Sequence, residues 1–206
     1  MAQKKFLDQV YDIEDAAEMG AFYDKWAASY DDEVGANGYA TPPRCAEALA
    51  AFAEDKAAPL LDIGCGTGLS GLAFRAAGFE TIDGLDLSAE MLAAARARAG
   101  VYNSLTQVTL DDPLPFPAES YANIAAVGVL NPGHAPAETM GDALALLPRG
   151  GHFVFSLNDH ALEDGSYEYQ LRELCDAGLV FLMHSEYGAH LPKIGLKSRV
   201  YVLRKS

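Results

Sequence analysis

The sequence predicts an α/β fold: a doubly wound, mostly parallel sheet, closed by an antiparallel C-terminal hairpin strand and preceded by an N-terminal helical cap. Three observations predict it. Short apolar runs alternate with helical patterns along most of the 206 residues, a glycine-rich turn joins the first run to a helix, and the last two runs are joined by loop alone. Such alternation implies right-handed βαβ crossovers and ligands bound at the carboxyl ends of the parallel strands.

The elements follow in order. Helical patterns over roughly 15–30 and 41–57 form the cap. Apolar runs at 59–63, 81–87, 124–130, 152–157, 179–185 and 198–203 read as strands. The helix at 69–77 stops at Gly78, and Ser88 caps a helix that runs to Ala99 and stops at Gly100. A helix at 137–147 is closed by Pro148-Arg149-Gly150-Gly151, and a late helix covers 167–177. About a dozen residues of loop, containing Gly and Pro, separate the last two strands, too few for a helical crossover, so these strands pair antiparallel.

A chain of this length, 50% hydrophobic, builds one sizeable core. We expect a single domain over 1–206, with 1–58 as the helical cap and 59–206 as the core. There is no run of eighteen apolar residues, and the opening MAQKKFLDQVYDIED turns acidic before any apolar signal core, so the expected setting is cytoplasmic and off the membrane. Cys45, Cys65 and Cys175 are too few and too scattered for a disulfide framework or a paired-ligand zinc site, so no metal is expected. A formal charge of −14 opposes nucleic acid, whose phosphates require a basic surface, and anionic membranes alike. The expected partner is a small molecule.

The segment LLDIGCGTG sets an apolar strand with Asp62 ahead of Gly64, Gly66 and Gly68 at the start of a helix. Glycines permit a tight turn and close approach of backbone to a ligand, and exposed N–H groups at the helix start favour a carboxylate. Asp62 suits a positively charged amine, directly or through water. Asp86, ending the run TIDGLD, stands where a carboxylate accepts hydrogen bonds from both ribose hydroxyls of a nucleoside cofactor. Gly66-Thr67-Gly68-Leu69-Ser70-Gly71 also fits the G-x-G-x-x-G pattern of dinucleotide-binding enzymes, so an NAD-dependent oxidoreductase stands as an alternative.

Over nearly its whole length the sequence resembles class I S-adenosylmethionine (SAM)-dependent methyltransferases. LLDIGCGTG is similar to their first motif, GLDLS to the second, PLPFPAESYANIAAVGVL to the third and fourth, and LPRGG to the fifth. The opening YDKWAASYDDEV resembles a helix that precedes the first motif in a subgroup related to the Williams–Beuren-region methyltransferase. The resemblance implies a Rossmann-like, seven-stranded sheet, SAM as cofactor and S-adenosylhomocysteine as product. It implies cofactor contacts at Asp62, Gly64, Asp86 and Leu87, with Cys65, Gly66 and Gly68 in the loop and Met91 and Val127 nearby. The family's acidic residue near the adenine aligns on Leu110, so Leu110 or Asp111 takes that role, and Asn123 stands where the fourth motif commonly has Asp.

SAM carries its own leaving group, so the protein must chiefly align a nucleophile and exclude water. The strand ending at Leu130 leads to Asn131-Pro132-Gly133-His134, which makes His134 the candidate base or substrate contact. Asn131-Pro132 invites comparison with the Asn-Pro-Pro-aromatic motif of nucleic-acid amino methyltransferases, but Gly133 and His134 supply neither the second proline nor the stacking ring. Tyr23, Trp26 and Tyr30 share a helical face, from which a Tyr23 or Tyr30 hydroxyl can reach the methionyl group. Asn158, His160, His184 and His190 are expected in loops after the late strands, where they can line the substrate pocket, most of them as surface residues. The expected function is methyl transfer from SAM to a small-molecule acceptor, with a SAM-binding protein lacking catalysis as a further alternative.

Overall fold

The computed structural model describes residues 6, 16–109 and 112–206. Seven strands form one sheet in the order β3-β2-β1-β4-β5-β7-β6. The strands are β1 (Leu60–Ile63), β2 (Ile82–Asp86), β3 (Ser104–Gln107), β4 (Asn123–Ala126), β5 (His152–Asn158), β6 (Val180–Leu191) and β7 (Leu196–Lys205). The first five run parallel, and β7 lies antiparallel between β5 and β6. The order reverses at β1, where β2 pairs on one side and β4 on the other, so the crevice expected of a doubly wound sheet opens above β1.

The helices are α1 (Ala16–Trp26), α2 (Tyr30–Ala36), α3 (Thr41–Ala50), α4 (Leu69–Ala76), α5 (Ala89–Ala97), α6 (Thr139–Leu146), α7 (Asp159–Asp164) and α8 (Ser166–Asp176). The stop at Gly78 is a full Schellman closure. Gly78 N–H donates to the Arg75 carbonyl, Phe79 N–H donates to the Phe74 carbonyl, and the two phenyl rings pack edge to face at 5.7 Å. Ser88 caps α5 as its position implies, its hydroxyl accepting from Met91 N–H at 3.0 Å.

Several boundaries differ from the sequence reading, each for a local reason. The helix expected over 15–30 is two helices, because the chain turns at 27–29 and the acidic stretch YDDEVGA begins a new helix as α2. The helix expected over 41–57 ends at Ala50; beyond it Asp55 folds back to accept from Ala57 N–H at 2.9 Å, an Asx turn that competes with helix. β3 is unforeseen: four partly exposed residues at a sheet edge, with Leu105 alone apolar among them, carry no apolar period. The run at 124–130 stops pairing at Ala126 because Gly128 takes φ 73°. The loop expected between the last two strands shrinks to the turn around Pro192–Ile194 and Gly195, since β6 extends for 12 residues.

Two apolar layers pack the sheet. One joins Phe153, Phe155, Leu144 and Leu171 on one face, and the other joins Leu49, Phe74, Phe79 and Val202 on the opposite face. A third cluster of Met19, Trp26, Val34 and Leu191 fastens α1 and α2 against the end of β6. This last cluster roofs the carboxyl edge of the sheet.

Candidate functional site

The loop between β1 and α4 is shaped by three glycines in left-handed backbone, with φ 64° at Gly64, 52° at Gly66 and 93° at Gly68. Their tasks differ. A Cβ on Gly64 would lie 2.4 Å from Val129 Cγ2, so this glycine is required by the protein's own packing. A Cβ on Gly66 would meet nothing within 4 Å, because Gly66 faces an open cleft of about 440 Å³. That volume suits a cofactor-sized ligand.

Asp86, at the end of β2, stands on the wall of this cleft. Its carboxylate accepts from Gly66 N–H at 2.8 Å and Ser88 N–H at 2.9 Å, which locks it to the loop and leaves further lone pairs for hydroxyl donors. Burial pushes its pKa up, the backbone N–H groups oppose that rise, and the Asp24 charge adds to it. Leu87, Met91, Val127, Tyr23, Tyr30 and His134 also line the cleft, together with Gly64.

Asp62, Cys65 and Gly68 stand behind the loop and off the cleft wall. Asp62 is 0% exposed, with Oδ2 accepting from Ser70 Oγ at 2.6 Å and Tyr102 Oη at 2.7 Å while Oδ1 has no partner. Desolvation raises its pKa to about 7, against the two hydroxyl hydrogen bonds that lower it. A carboxylate held this way favours a cation above it. Cys65 is buried under the loop, where desolvation raises its pKa well above that of a free thiol, which suits packing and not nucleophilic chemistry. Leu110 and Asp111 lie outside the described residues. Their neighbour Asp112 lines the cleft, and Asn123 is a buried residue of β4.

His134 reaches the cleft through the turn Asn131–His134, closed by His134 N–H donating to the Asn131 carbonyl at 3.0 Å. Its Nδ1 lies 3.3 Å from the Pro132 carbonyl, which can only accept, so the ring proton belongs on Nδ1. Nε2 then accepts from the Tyr23 hydroxyl at 2.8 Å. Desolvation lowers the His134 pKa, keeping the ring neutral near pH 7.

The late-strand residues are not in loops. Asn158 ends β5 and caps α7, accepting from Ala161 N–H at 3.0 Å; His160 lies in α7; His184 and His190 belong to β6. Asn158 and His190 are buried, not surface residues, and both reach a nook beside the cleft. His190 is drawn down to about pKa 4 by burial, and its Nδ1 meets Thr41 Oγ1 at 2.7 Å.

Sequence reasoning missed the residues that tie the roof to the loop. Ser88 Oγ donates to Asp24 at 2.5 Å, Thr67 Oγ1 donates to Asp31 at 2.6 Å, and Arg98 pairs with Asp31 while donating to the Thr67 carbonyl at 2.6 Å. Tyr102, which contacts Asp62 and Gly71, was missed as well. The one available signal was the acidic run Asp31-Asp32-Glu33, which resembles any solvated face.

A family model described as a methyltransferase domain matches residues 39–190. Methyltransferase-like protein 27 of Homo sapiens is 36% identical over 141 residues, which are 67% of this chain and 57% of that protein. The chain thus spans less than two thirds of that relative's length. Among solved structures, that of the (4+2)-cyclase SpnF is similar with a TM-score of 0.71 at 16% identity, covering 94% of this chain and 97% of that one. Magnesium protoporphyrin IX methyltransferase from Synechocystis PCC 6803, solved with bound SAM, has a TM-score of 0.58 at 16% identity, covering 80% and 79%. At such identities the structural likeness speaks for the fold alone.

Proposed function

The chain belongs to the class I SAM-dependent methyltransferases, and from that premise we propose that it transfers the methyl group of SAM to a small-molecule acceptor at the carboxyl edge of its sheet. SAM is the cofactor of this family, and when bound it supplies an electrophilic methyl whose carbon–sulfur bond breaks with the electron pair going to sulfur, leaving S-adenosylhomocysteine. The observation that carries the reading is the unpartnered Oδ1 of buried Asp62 beneath a loop whose Gly66 faces the cleft. A buried, half-satisfied carboxylate under a cofactor-sized space fits a cationic ligand.

In this reading Asp86 receives the ribose hydroxyls, while Gly64 and Gly66 shape the loop against the methionyl portion. Leu87, Met91 and Val127 supply apolar walls, and Asp112 faces the adenine. Asp62 and Cys65 act from beneath the loop, and Gly68 starts α4. Tyr23 and Tyr30 close over the site from α1 and α2, so that a single domain comprises the cap and the core that carries it. A proton leaving the acceptor passes to Tyr23 Oη as Tyr23 hands its own to His134 Nε2, so His134 acts through the phenol. The net charge of −14 supports a small acceptor over nucleic acid, and three free cysteines support a cytoplasmic setting.

Calorimetric titration of the purified chain with SAM, S-adenosylhomocysteine and NADH in parallel tests the reading. Micromolar binding of the first two alone is the expected result; NADH binding alone overturns it.

A further inference from the structure

Beside the cofactor cleft lies a second, smaller space of about 40 Å³, bounded by α1, α2, the turn after β4 and the ends of β5 and β6. It shares Tyr23, Tyr30, Gly128 and His134 with the cleft, so the two adjoin. At roughly 10–15 Å³ for one water-sized occupant, it holds a functional group and not a whole molecule.

Two of its lining groups are buried without a hydrogen-bond partner. Among the described residues, Trp26 is 2% exposed and its Nε1–H finds no acceptor, and Asn131 is 5% exposed and its Oδ1 finds no donor. Each orphaned polar atom costs about 1–3 kcal/mol in a folded protein, and native structures keep few of them. Here one donor and one acceptor belong to residues from segments more than a hundred residues apart that line the same nook.

We propose that this nook is the acceptor subsite and that it selects a hydroxyl group, which accepts from Trp26 Nε1–H and donates to Asn131 Oδ1. The inference rests on the reading of the neighbouring cleft as the SAM site. The chemistry separates hydroxyls from amines. An alkylamine near pH 7 is an ammonium ion, which has no lone pair for the Trp26 N–H, and among the described residues the lining has no carboxylate to hold the charge. Tyr23 stacks on Trp26 and tilts against Tyr30, and Trp26 meets Tyr30 edge to face, at centroid distances of 4.8–6.3 Å; Tyr23 and Tyr30 also line the adjoining cleft, so an aromatic ring bearing the hydroxyl meets aromatic side chains there. In the transfer, the hydroxyl oxygen lone pair forms the new bond to the methyl carbon and the carbon–sulfur pair leaves with sulfur; the O–H turns from Asn131 Oδ1, which holds it in the ground state, to Tyr23, and its proton goes to Tyr23 Oη as the Tyr23 proton moves to His134 Nε2. The products are an ether, a thioether and an imidazolium.

Trp26 is the chain's single tryptophan, so its indole N–H gives one assignable resonance. The test titrates phenol, anisole and benzylamine into uniformly nitrogen-labelled protein, with and without S-adenosylhomocysteine, and follows that resonance. Phenol is expected to shift it saturably, with anisole and benzylamine at least fivefold weaker, and Asn131→Leu is expected to erase the preference of phenol over anisole. An unmoved indole resonance, or equal response to all three probes, overturns the proposal; the wild-type comparison suffices even if the variant does not fold. Binding of S-adenosylhomocysteine, read by calorimetry on the same samples, tests the cofactor reading separately. A normal cofactor isotherm with a silent indole refutes the subsite alone, whereas a silent isotherm refutes the parent reading.

Discussion

The cofactor cleft and the aromatic nook share one edge of one sheet, yet they are held by different means. The cleft is built from backbone: glycines in left-handed conformation, and Asp86 pinned by two amide N–H groups. The nook is built from side chains that meet across the fold, with Trp26 from α1, Asn131 from a turn and His190 from β6. Backbone devices tolerate few residue types and lose their shape abruptly when altered. Side-chain convergence degrades by single contacts. Substitutions in the two regions should therefore differ in what they damage.

The largest effect is expected at Gly64. Gly64→Ala adds a Cβ 2.4 Å from Val129 Cγ2 at φ 64°, combining left-handed strain with overpacking, for a loss of about 2–5 kcal/mol in chemical denaturation. Gly66→Val is the counterpart: at φ 52° it bears the left-handed strain without the clash and its side chain enters the open cleft, so SAM binding is expected to vanish while the denaturation midpoint moves less than for Gly64→Ala. Equal stability losses at both positions would dissolve the distinction between a glycine serving packing and one serving a ligand.

Asp62 comes next, with a direction set by linkage. Its folded pKa, about 7, lies above its ordinary value of 3.8, so the folded state holds the extra proton between those limits. Stability of the cofactor-free protein should fall as pH rises from about 4 to about 7 and level off above, by roughly 2–4 kcal/mol for this group. Asp62→Asn should flatten that slope in denaturation curves at pH 5 and pH 8 and make the protein more stable at pH 8. SAM binding to the wild type should release protons near pH 7, seen as a dependence of the heat on buffer ionisation enthalpy. A slope unchanged in Asp62→Asn would remove Asp62 as its source.

Asp86→Asn retains one carbonyl acceptor for the loop, so the fold should persist while SAM affinity drops by about 1.5–3 kcal/mol, the scale of lost charge-assisted hydrogen bonds. Unchanged affinity would separate Asp86 from the ribose. On the nook side, Tyr23→Phe should lower turnover by about tenfold to hundredfold and leave SAM affinity within twofold. Because burial lowers the His134 pKa, the acidic limb of the wild-type rate profile should fall below pH 6.5, and His134→Gln should abolish that limb. A limb that survives this variant would exclude His134 as the titrating group.

Much of the cleft was legible before any coordinates because its constraints act on residue identity. Only glycine serves Gly64, Gly66 and Gly68, and a carboxylate ending the second strand declares itself by spacing. The alternation of apolar runs likewise exposed the buried strands and the C-terminal hairpin. β3 and α7 escaped because both are short, and β3 is mostly polar and partly exposed, so neither leaves an apolar period. The nook escaped for another reason: Trp26 and Asn131 read singly as a core aromatic and a turn residue, and only the fold brings the two residues around one space. The likeness to SpnF carries the same lesson at larger scale, since a chain similar over 94% of this one bears the name of a cyclase. Fold and loop identify a family; the acceptor is chosen elsewhere, in our proposal by the nook beside the loop.

The smallest expected effect concerns the ties between the two regions. Asp31 lies in the first turn of α2, where it accepts from Thr67 Oγ1 in the glycine loop and pairs with Arg98, which in turn holds the Thr67 carbonyl. The pair is partly exposed, its side chains 23% and 42% accessible, so solvent screens it and Asp31→Asn should cost under about 1 kcal/mol of global stability. Its consequence should be local. With the carboxylate gone, α2 loses its charged anchor to the loop while the glycines keep their shape, so the SAM dissociation rate should rise two- to fivefold with little change in association. High salt should bring the wild type toward the variant, since ions screen the exposed pair. Stopped-flow measurement at low and high ionic strength reads both rates. A salt-independent difference would mean that the Thr67 hydrogen bond, and not the ion pair, couples roof to loop.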